Sequence, residues 1–178
     1  LLPAESLPQR YYRFLPDIEL DGMRCVISRT GYTGEDGFEL YLPAADAERL
    51  ARLLLDAGRE FGLIPCGLGC RDTLRLEAAM PLYGHEMDDA VSPLETGLGR
   101  YVKLEKADFI GKAALVAAGE PKRARIGLKI TGRGIAREHQ DVYQGEALIG
   151  HTTSGTHCPT VGPVAMALVS APAPEEGA

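Results

Sequence analysis

The sequence predicts an α+β chain in which strands pack against helices, followed by a small C-terminal β-barrel or sandwich domain. Three observations carry that expectation. Two strand-like segments flank a glycine-rich turn near residue 30, two helix-like segments follow before residue 80, and short alternating strands separated by glycines fill the stretch after residue 120.

Taken in order, residues 11–14 read as a short strand and residues 18–20 lead towards the turn. Cys25-Val26-Ile27-Ser28 and Phe38-Glu39-Leu40-Tyr41-Leu42 are rich in β-branched, aromatic and aliphatic side chains and are expected to pair antiparallel. Between them Gly31, Gly34 and Gly37 tolerate positive φ, and Asp36-Gly37 is a favoured pair for a tight reversal. Alternation sends Phe38, Leu40 and Leu42 to the core face and Glu39 with Tyr41 to the other, where Glu39 meets either solvent or a cavity.

After Pro43 a helix is expected over residues 44–57, with Ala47, Leu50, Ala51 and Leu54 as its apolar stripe and Gly58 as its stop. A second helix is expected over residues 70–79, ended by Pro81. Leu74 and Ala78 lie one turn apart there, while Arg71 and Arg75 form a basic edge. Arg71 falls in the first turn, where exposed N–H groups and the helix dipole add to its charge. Two roles stay open for it: an anionic or acceptor-rich ligand, or an ion pair with Asp72, Glu77 or Glu39.

Residues 80–119 look irregular, with short helices expected over 92–98 and 111–118. Strands are expected over residues 125–130, 141–143, 147–153 and 165–169. The residues from 171 on, rich in Ala, Pro and Glu, have little to bury and are expected to be disordered. The domain reading is therefore an α+β region over 1–80, an irregular and helical segment over 81–119, a β domain over 120–170 and a tail over 171–178.

Composition narrows the function. With 45% hydrophobic and 25% charged residues the chain resembles ordinary globular proteins. A net charge of -6 argues against general nucleic-acid binding, and an anionic ligand would have to be held by local cations. No apolar run approaches the ~18 residues a membrane helix needs, and no basic-then-apolar signal opens the chain. The four cysteines are expected to be free, partly buried thiols of a reducing compartment. Cys66, Cys70, His157 and Cys158 lack the short chelate spacing of a metal site, and no metal is expected.

Four collinear motifs, SRTGYTGEDGFELY, CGLGCRDTLRLEAAMPLYGHEM, SPLETGLG and FIGKAAL, resemble the aminomethyltransferase (T-protein) family of the glycine cleavage system. The likeness spans residues 12–115 and, more loosely, 125–169, where IGLKITGRGIAREHQDVY and IGHTTSGTHCPTVG are similar to the family's C-terminal domain. It implies the folate-binding T-protein fold, with residues 81–119 returning to the first domain. It also implies an enzyme that takes a methylene group from an aminomethylated lipoyl arm on the carrier H protein, releases ammonia and forms methylenetetrahydrofolate.

Tetrahydrofolate is the implied co-substrate, and the matching folate-contacting positions are Tyr32, Glu39, Arg71 and Met80. A pterin offers adjacent N–H donors that a carboxylate such as Glu39 can accept in parallel. Arg71 complements the ring's acceptors or the anionic tail, while Tyr32 and Met80 offer surfaces against a heteroaromatic ring. Many family members carry Trp after the SPL segment where this chain has Arg100, which can itself lie flat on an aromatic face.

The family's catalytic aspartate belongs to a part preceding this chain, so no catalytic residue is expected here. The chain, which opens Leu1-Leu2-Pro3 without an initiator Met, is read as roughly the second half of such an enzyme. Leu82, Leu94, Leu98, Phe109 and Ile110 are then expected to lose part of their cover, and the isolated piece is expected to be marginally stable and inactive. The expected location is the cytoplasm, or the mitochondrial matrix if a targeting segment precedes the chain. Two alternatives stand beside it: a folate-binding domain of a sarcosine or dimethylglycine dehydrogenase, which carries a similar domain, and a non-catalytic folate-binding iron-sulfur assembly factor of the same superfamily. The latter carries a KGCYxGQE signature that is absent from this sequence.

Overall fold

A computed structural model describes residues 1–177. The chain divides between Asp72 and Thr73 into two compact units.

The first unit is built on a three-stranded antiparallel sheet, ordered β1 (Phe14–Leu20), β2 (Met23–Ser28), β3 (Glu39–Tyr41). Strands β1 and β2 are joined through Asp21 and Gly22, whose φ angles of 51° and 74° match the primed two-residue hairpin turn. The Asp-Gly reversal expected at Asp36-Gly37 is thus found at Asp21-Gly22. Pro16 sits where the β1 register shifts between Leu15 and Ile18, on an edge strand that can spare its N–H. Met23, Cys25 and Ile27 alternate into a core with Leu20 and Leu50, and Leu40 and Leu42 pack on it.

Helix α1 (Ala47–Gly58) covers this core with Leu50, Leu53 and Leu54, while Ala47 and Ala51 are exposed. The buried stripe is therefore rotated from the expected one, because the sheet engages the larger side chains, which gain more from leaving water. Gly58 does not stop the helix. A 3₁₀ turn, Arg59–Phe61, continues it, and Gly62 at φ 75° closes it with bonds from Gly62 N–H to Arg59 O and from Leu63 N–H to Gly58 O. That is a Schellman ending, with glycine in the left-handed position. Gly58 has a different duty, since a Cβ there would lie 2.5 Å from the Leu63 side chain.

Helix α2 (Leu68–Glu77) contains the division between units. It ends two residues before the expected 79, through another Schellman pair: Ala79 N–H to Leu76 O at 3.0 Å and Met80 N–H to Arg75 O at 2.8 Å. Ala79, at φ 53°, takes the position usually given to glycine, and Pro81 follows. Arg71 is exposed but Arg75 is buried, so the expected basic edge is split between two environments.

In the second unit α3 (Lys112–Ala118) forms as expected, whereas residues 92–98 make turns and the adjoining Gly99–Tyr101 a 3₁₀ turn. The β domain expected after residue 120 is a four-stranded antiparallel sheet, ordered β4 (Arg123–Lys129), β7 (Gly162–Ser170), β6 (Ala147–Cys158), β5 (Asp141–Gln144). Among the described residues no ladder joins β4 to β5, so the sheet is open. Central β7 buries Ala165, Met166, Ala167, Leu168 and Val169 in succession, the pattern of a strand covered on both faces. Leu76, Cys158 and Met166 form the core cluster here. Of the apolar residues expected to lose cover, Ile110 is fully exposed, while Leu82, Leu94, Leu98 and Phe109 are half-buried.

Glu95 anchors the loop ahead of β4. It accepts two hydrogen bonds from Arg123, at 2.8 and 3.1 Å, and one from the Ser92 N–H at 2.9 Å. The Arg123 hydrogen bonds and the Ser92 N–H hold the Glu95 carboxyl below its usual range. A carboxyl depressed on folding contributes stability that is fully present above its unfolded value, near pH 4.3, and lost as pH falls through its folded value. Thermal melts between pH 6 and pH 2.5 are expected to fall more gently for Glu95→Gln than for the parent chain. Identical acid limbs would refute this.

Candidate functional site

The β2–β3 register sets Ser28 opposite Glu39 and Val26 opposite Tyr41, with the core-facing Ile27–Leu40 pair between them. Glu39 is half-buried, within a cluster of hydroxyls. Thr30 donates to Glu39 Oε2, and Tyr41 donates to the same oxygen at 3.2 Å. Ser28 Oγ lies 2.6 Å from Thr30 Oγ1. Because Thr30 spends its proton on Glu39, Ser28 is the donor of that second bond. Both contacts fall on Oε2, and Oε1 receives no hydrogen bond among the described residues.

The loop over residues 29–38 is braced instead of tightly turned. Arg29 grips Asp36 with a fork, Nε to Oδ1 at 2.7 Å and Nη2 to Oδ2 at 2.6 Å, and these hydrogen bonds hold the Asp36 carboxyl below its usual range. Of Gly31, Gly34 and Gly37, Gly34 alone takes positive φ, at 77°. The Arg29 guanidinium lies 5.6 Å from the Phe38 ring centre, and Phe38 is exposed instead of joining Leu40 and Leu42 at the core.

Within the same unit the Arg71 guanidinium lies 4.9 Å from the centre of the Tyr32 ring. Arg71 N–H donates to Gly67 O at 3.1 Å, which sets Arg71 in the first turn of α2. A side chain from the first turn of α2 thus sets its cation on an aromatic face of the loop before β3.

Met80 and Arg100 belong to the second unit. Met80 is half-buried at the α2 ending, with its carbonyl accepting from Arg75 Nη1 at 3.3 Å. Arg100 is exposed and lies on its neighbour Tyr101, 4.7 Å from the ring centre, with Nη2 donating to the Tyr101 hydroxyl at 2.7 Å.

Sequence reasoning passed over Thr30 and Ser28, whose value appears only when β3 carries Glu39 across to them. It also missed a fully buried group, Arg75, Glu86, Thr153 and Ser154. No local signal marked it, since GHEM is followed by two aspartates and HTTS is itself a polar run. The thiols divide: Cys25 and Cys158 are buried, while Cys66 and Cys70 are exposed, and a hydrogen bond with Cys66 raises Cys70 above the usual thiol range. Among the described residues no group of three or more metal-ligating side chains converges, and no helix is long and apolar enough to cross a membrane.

Comparison with known proteins places the chain in a family. A family model described as the GCVT N-terminal domain matches residues 4–106, and one described as the Glycine cleavage T-protein C-terminal barrel domain matches residues 123–178. A curated relative named Aminomethyltransferase from Moorella thermoacetica is 54% identical over 164 residues, covering 90% of this chain and 44% of the relative. One of the same name from Streptomyces avermitilis is 51% identical over 169 residues, covering 91% and 45%. The crystal structure of the glycine cleavage system aminomethyltransferase T from Bartonella henselae shares 39% identity at a TM-score of 0.75, over 82% of this chain and 42% of that one. The chain thus spans less than half the length of these relatives.

Proposed function

The chain belongs to the glycine cleavage T-protein family, and from that membership we propose that it supplies much of the tetrahydrofolate pocket of an aminomethyltransferase. The whole protein would pass a methylene group from an aminomethyl-lipoyl arm of the H protein to tetrahydrofolate and release ammonia, a step of glycine breakdown and one-carbon metabolism. The chemistry is the folate's: its ring nitrogens take up the one-carbon unit. What this chain contributes is binding and orientation.

One observation carries the reading: the Arg71 cation over the Tyr32 ring, in the unit that also holds the half-buried Glu39. Glu39 would accept the N–H donors of the aminopyrimidinone edge, with Oε1 open to them and Oε2 already steadied by Thr30 and Tyr41. Arg71 would meet the ring's acceptors or the glutamate tail, supplying the local cation that a net charge of -6 denies an anion elsewhere. Met80 and Arg100 are proposed as folate contacts on the motif alone. The transfer step itself is assigned to no residue of this chain.

Titration of tetrahydrofolate under anaerobic conditions tests the pocket. Glu39→Ala and Arg71→Ala are each expected to weaken binding by about tenfold or more, since each removes a charge-assisted hydrogen-bonding partner. Saturable binding with the same Kd in both variants would dismiss the assignment, and so would no binding at all.

A further inference from the structure

The fully buried ion pair of the second unit plays no part in the reading above. The side chains of Arg75 and Glu86 are 2% and 0% exposed. Taking two charges out of water is expensive, and a pair so placed is weak evidence for a purely stabilising role. It persists only where its remaining donors and acceptors are met, and where they go is informative.

Arg75 Nη1 donates to Glu86 Oε2 at 2.9 Å and to the Met80 carbonyl at 3.3 Å. Glu86 Oε2 also accepts the Leu82 N–H at 2.9 Å. The Met80 carbonyl and the Leu82 N–H flank Pro81, so each end of Met80-Pro81-Leu82 is tied to one member of the ion pair. The proline between them contributes a fixed φ and no N–H of its own.

The pair is in turn held from β6. Arg75 Nη2 donates to Ser154 Oγ at 2.7 Å, and Thr153 Oγ1 donates to Glu86 Oε1 at 2.6 Å. Consecutive residues of a regular strand point to opposite faces, so Thr153 and Ser154 ought not to reach the same group. They do because the β6–β7 register shifts between Thr152 and Ser154, a bulge that re-aims the side chains. A bulge, two hydroxyls and an ion pair thus converge on three residues of loop.

We propose that Arg75 and Glu86, steadied by Thr153 and Ser154, are positioning residues that hold Met80-Pro81-Leu82 in the form that binds tetrahydrofolate. The inference rests on the reading of Met80 as a folate contact. The C-terminal sheet thereby gains a role in shaping a ligand-binding loop that it does not itself carry.

The test uses the whole chain with Met80→Ala, Glu86→Gln, their double variant, and Thr153→Val, which removes one tie only and keeps both charges. Binding of tetrahydrofolate is measured at a temperature where circular dichroism shows every variant folded. In parallel the methyl resonance of Met80 is followed without folate. Met80→Ala, Glu86→Gln and Thr153→Val are each expected to weaken binding, Glu86→Gln by about five- to tenfold, with the double variant no weaker than the weaker single one. The Met80 methyl resonance is expected to move in Glu86→Gln and Thr153→Val.

Losses that multiply in the double variant, or an unmoved methyl resonance, would overturn the positioning role. Should Glu86→Gln fail to fold, Thr153→Val decides in the same terms. Unchanged binding in Met80→Ala, with losses in Glu39→Ala and Arg71→Ala, would overturn this inference and leave the hairpin assignment standing. Unchanged binding in all of them would overturn both.

Discussion

Replacing Glu86 with Leu is expected to cost about 3–5 kcal/mol of folding stability, because it strands the Arg75 charge in a site closed to water. The guanidinium keeps the Met80 carbonyl and Ser154 Oγ as partners, but neither carries charge. Exchanging both members, Arg75→Met with Glu86→Leu, is expected to restore much of the stability while the Met80-Pro81-Leu82 tie is lost. Urea unfolding followed by circular dichroism checks both statements. A loss below about 1 kcal/mol for Glu86→Leu would mean that water reaches the site, against its complete burial.

The second large effect is expected at Gly150, the fourth residue of β6, which pairs with Val142 of β5 on one side and Val169 of β7 on the other. A Cβ added there would lie 2.2 Å from the Leu168 carbonyl oxygen and 2.7 Å from Val169 Cα. Both are backbone atoms of the most buried strand, so no side chain can swing aside. Gly150→Ala is expected to cost at least about 1–3 kcal/mol, the range for overpacking a filled interior, through separation of β6 from β7. Gly127 on β4 is the control. Nothing lies within 4 Å of a Cβ there and its φ is ordinary, so Gly127→Ala is expected to be neutral or stabilising by about 0.4–1 kcal/mol. Equal unfolding midpoints for the two variants would contradict the close approach.

The hairpin site shows which signals were legible. The strands around Ile27 and Leu40, and the placing of Glu39 away from the core, follow from period-2 alternation and came out as expected. Phe38 lies just before β3, outside the regular strand, and is exposed beside Arg29 instead of joining the core. Asp-Gly turn chemistry was read correctly as chemistry and assigned to the wrong pair. Asp21-Gly22 closes a two-residue loop between strands in register, whereas Asp36 is drawn off by Arg29. For the helices, existence was plain and the endings were not. The carbonyls at the end of α1 were satisfied at Gly62, beyond the expected Gly58, and those of α2 at Ala79, short of the expected Pro81.

By itself the sequence determined the α+β class, most of the strands and helices in their order, and the family, and it named the residues from which a folate-binding role is proposed. Those features depend on local periodicity and on motifs contiguous in the chain, which survive without knowledge of distant partners. Only the tertiary structure decided that Arg75 turns inward while Arg71 stays out, that Thr30 steadies Glu39, and that a bulge in β6 aims Thr153 and Ser154 at a pair of charges far upstream. The physical reason is common to all three. A polar side chain's place is set by which donor or acceptor can meet it away from water, and that partner is chosen by packing, not by its neighbours in sequence.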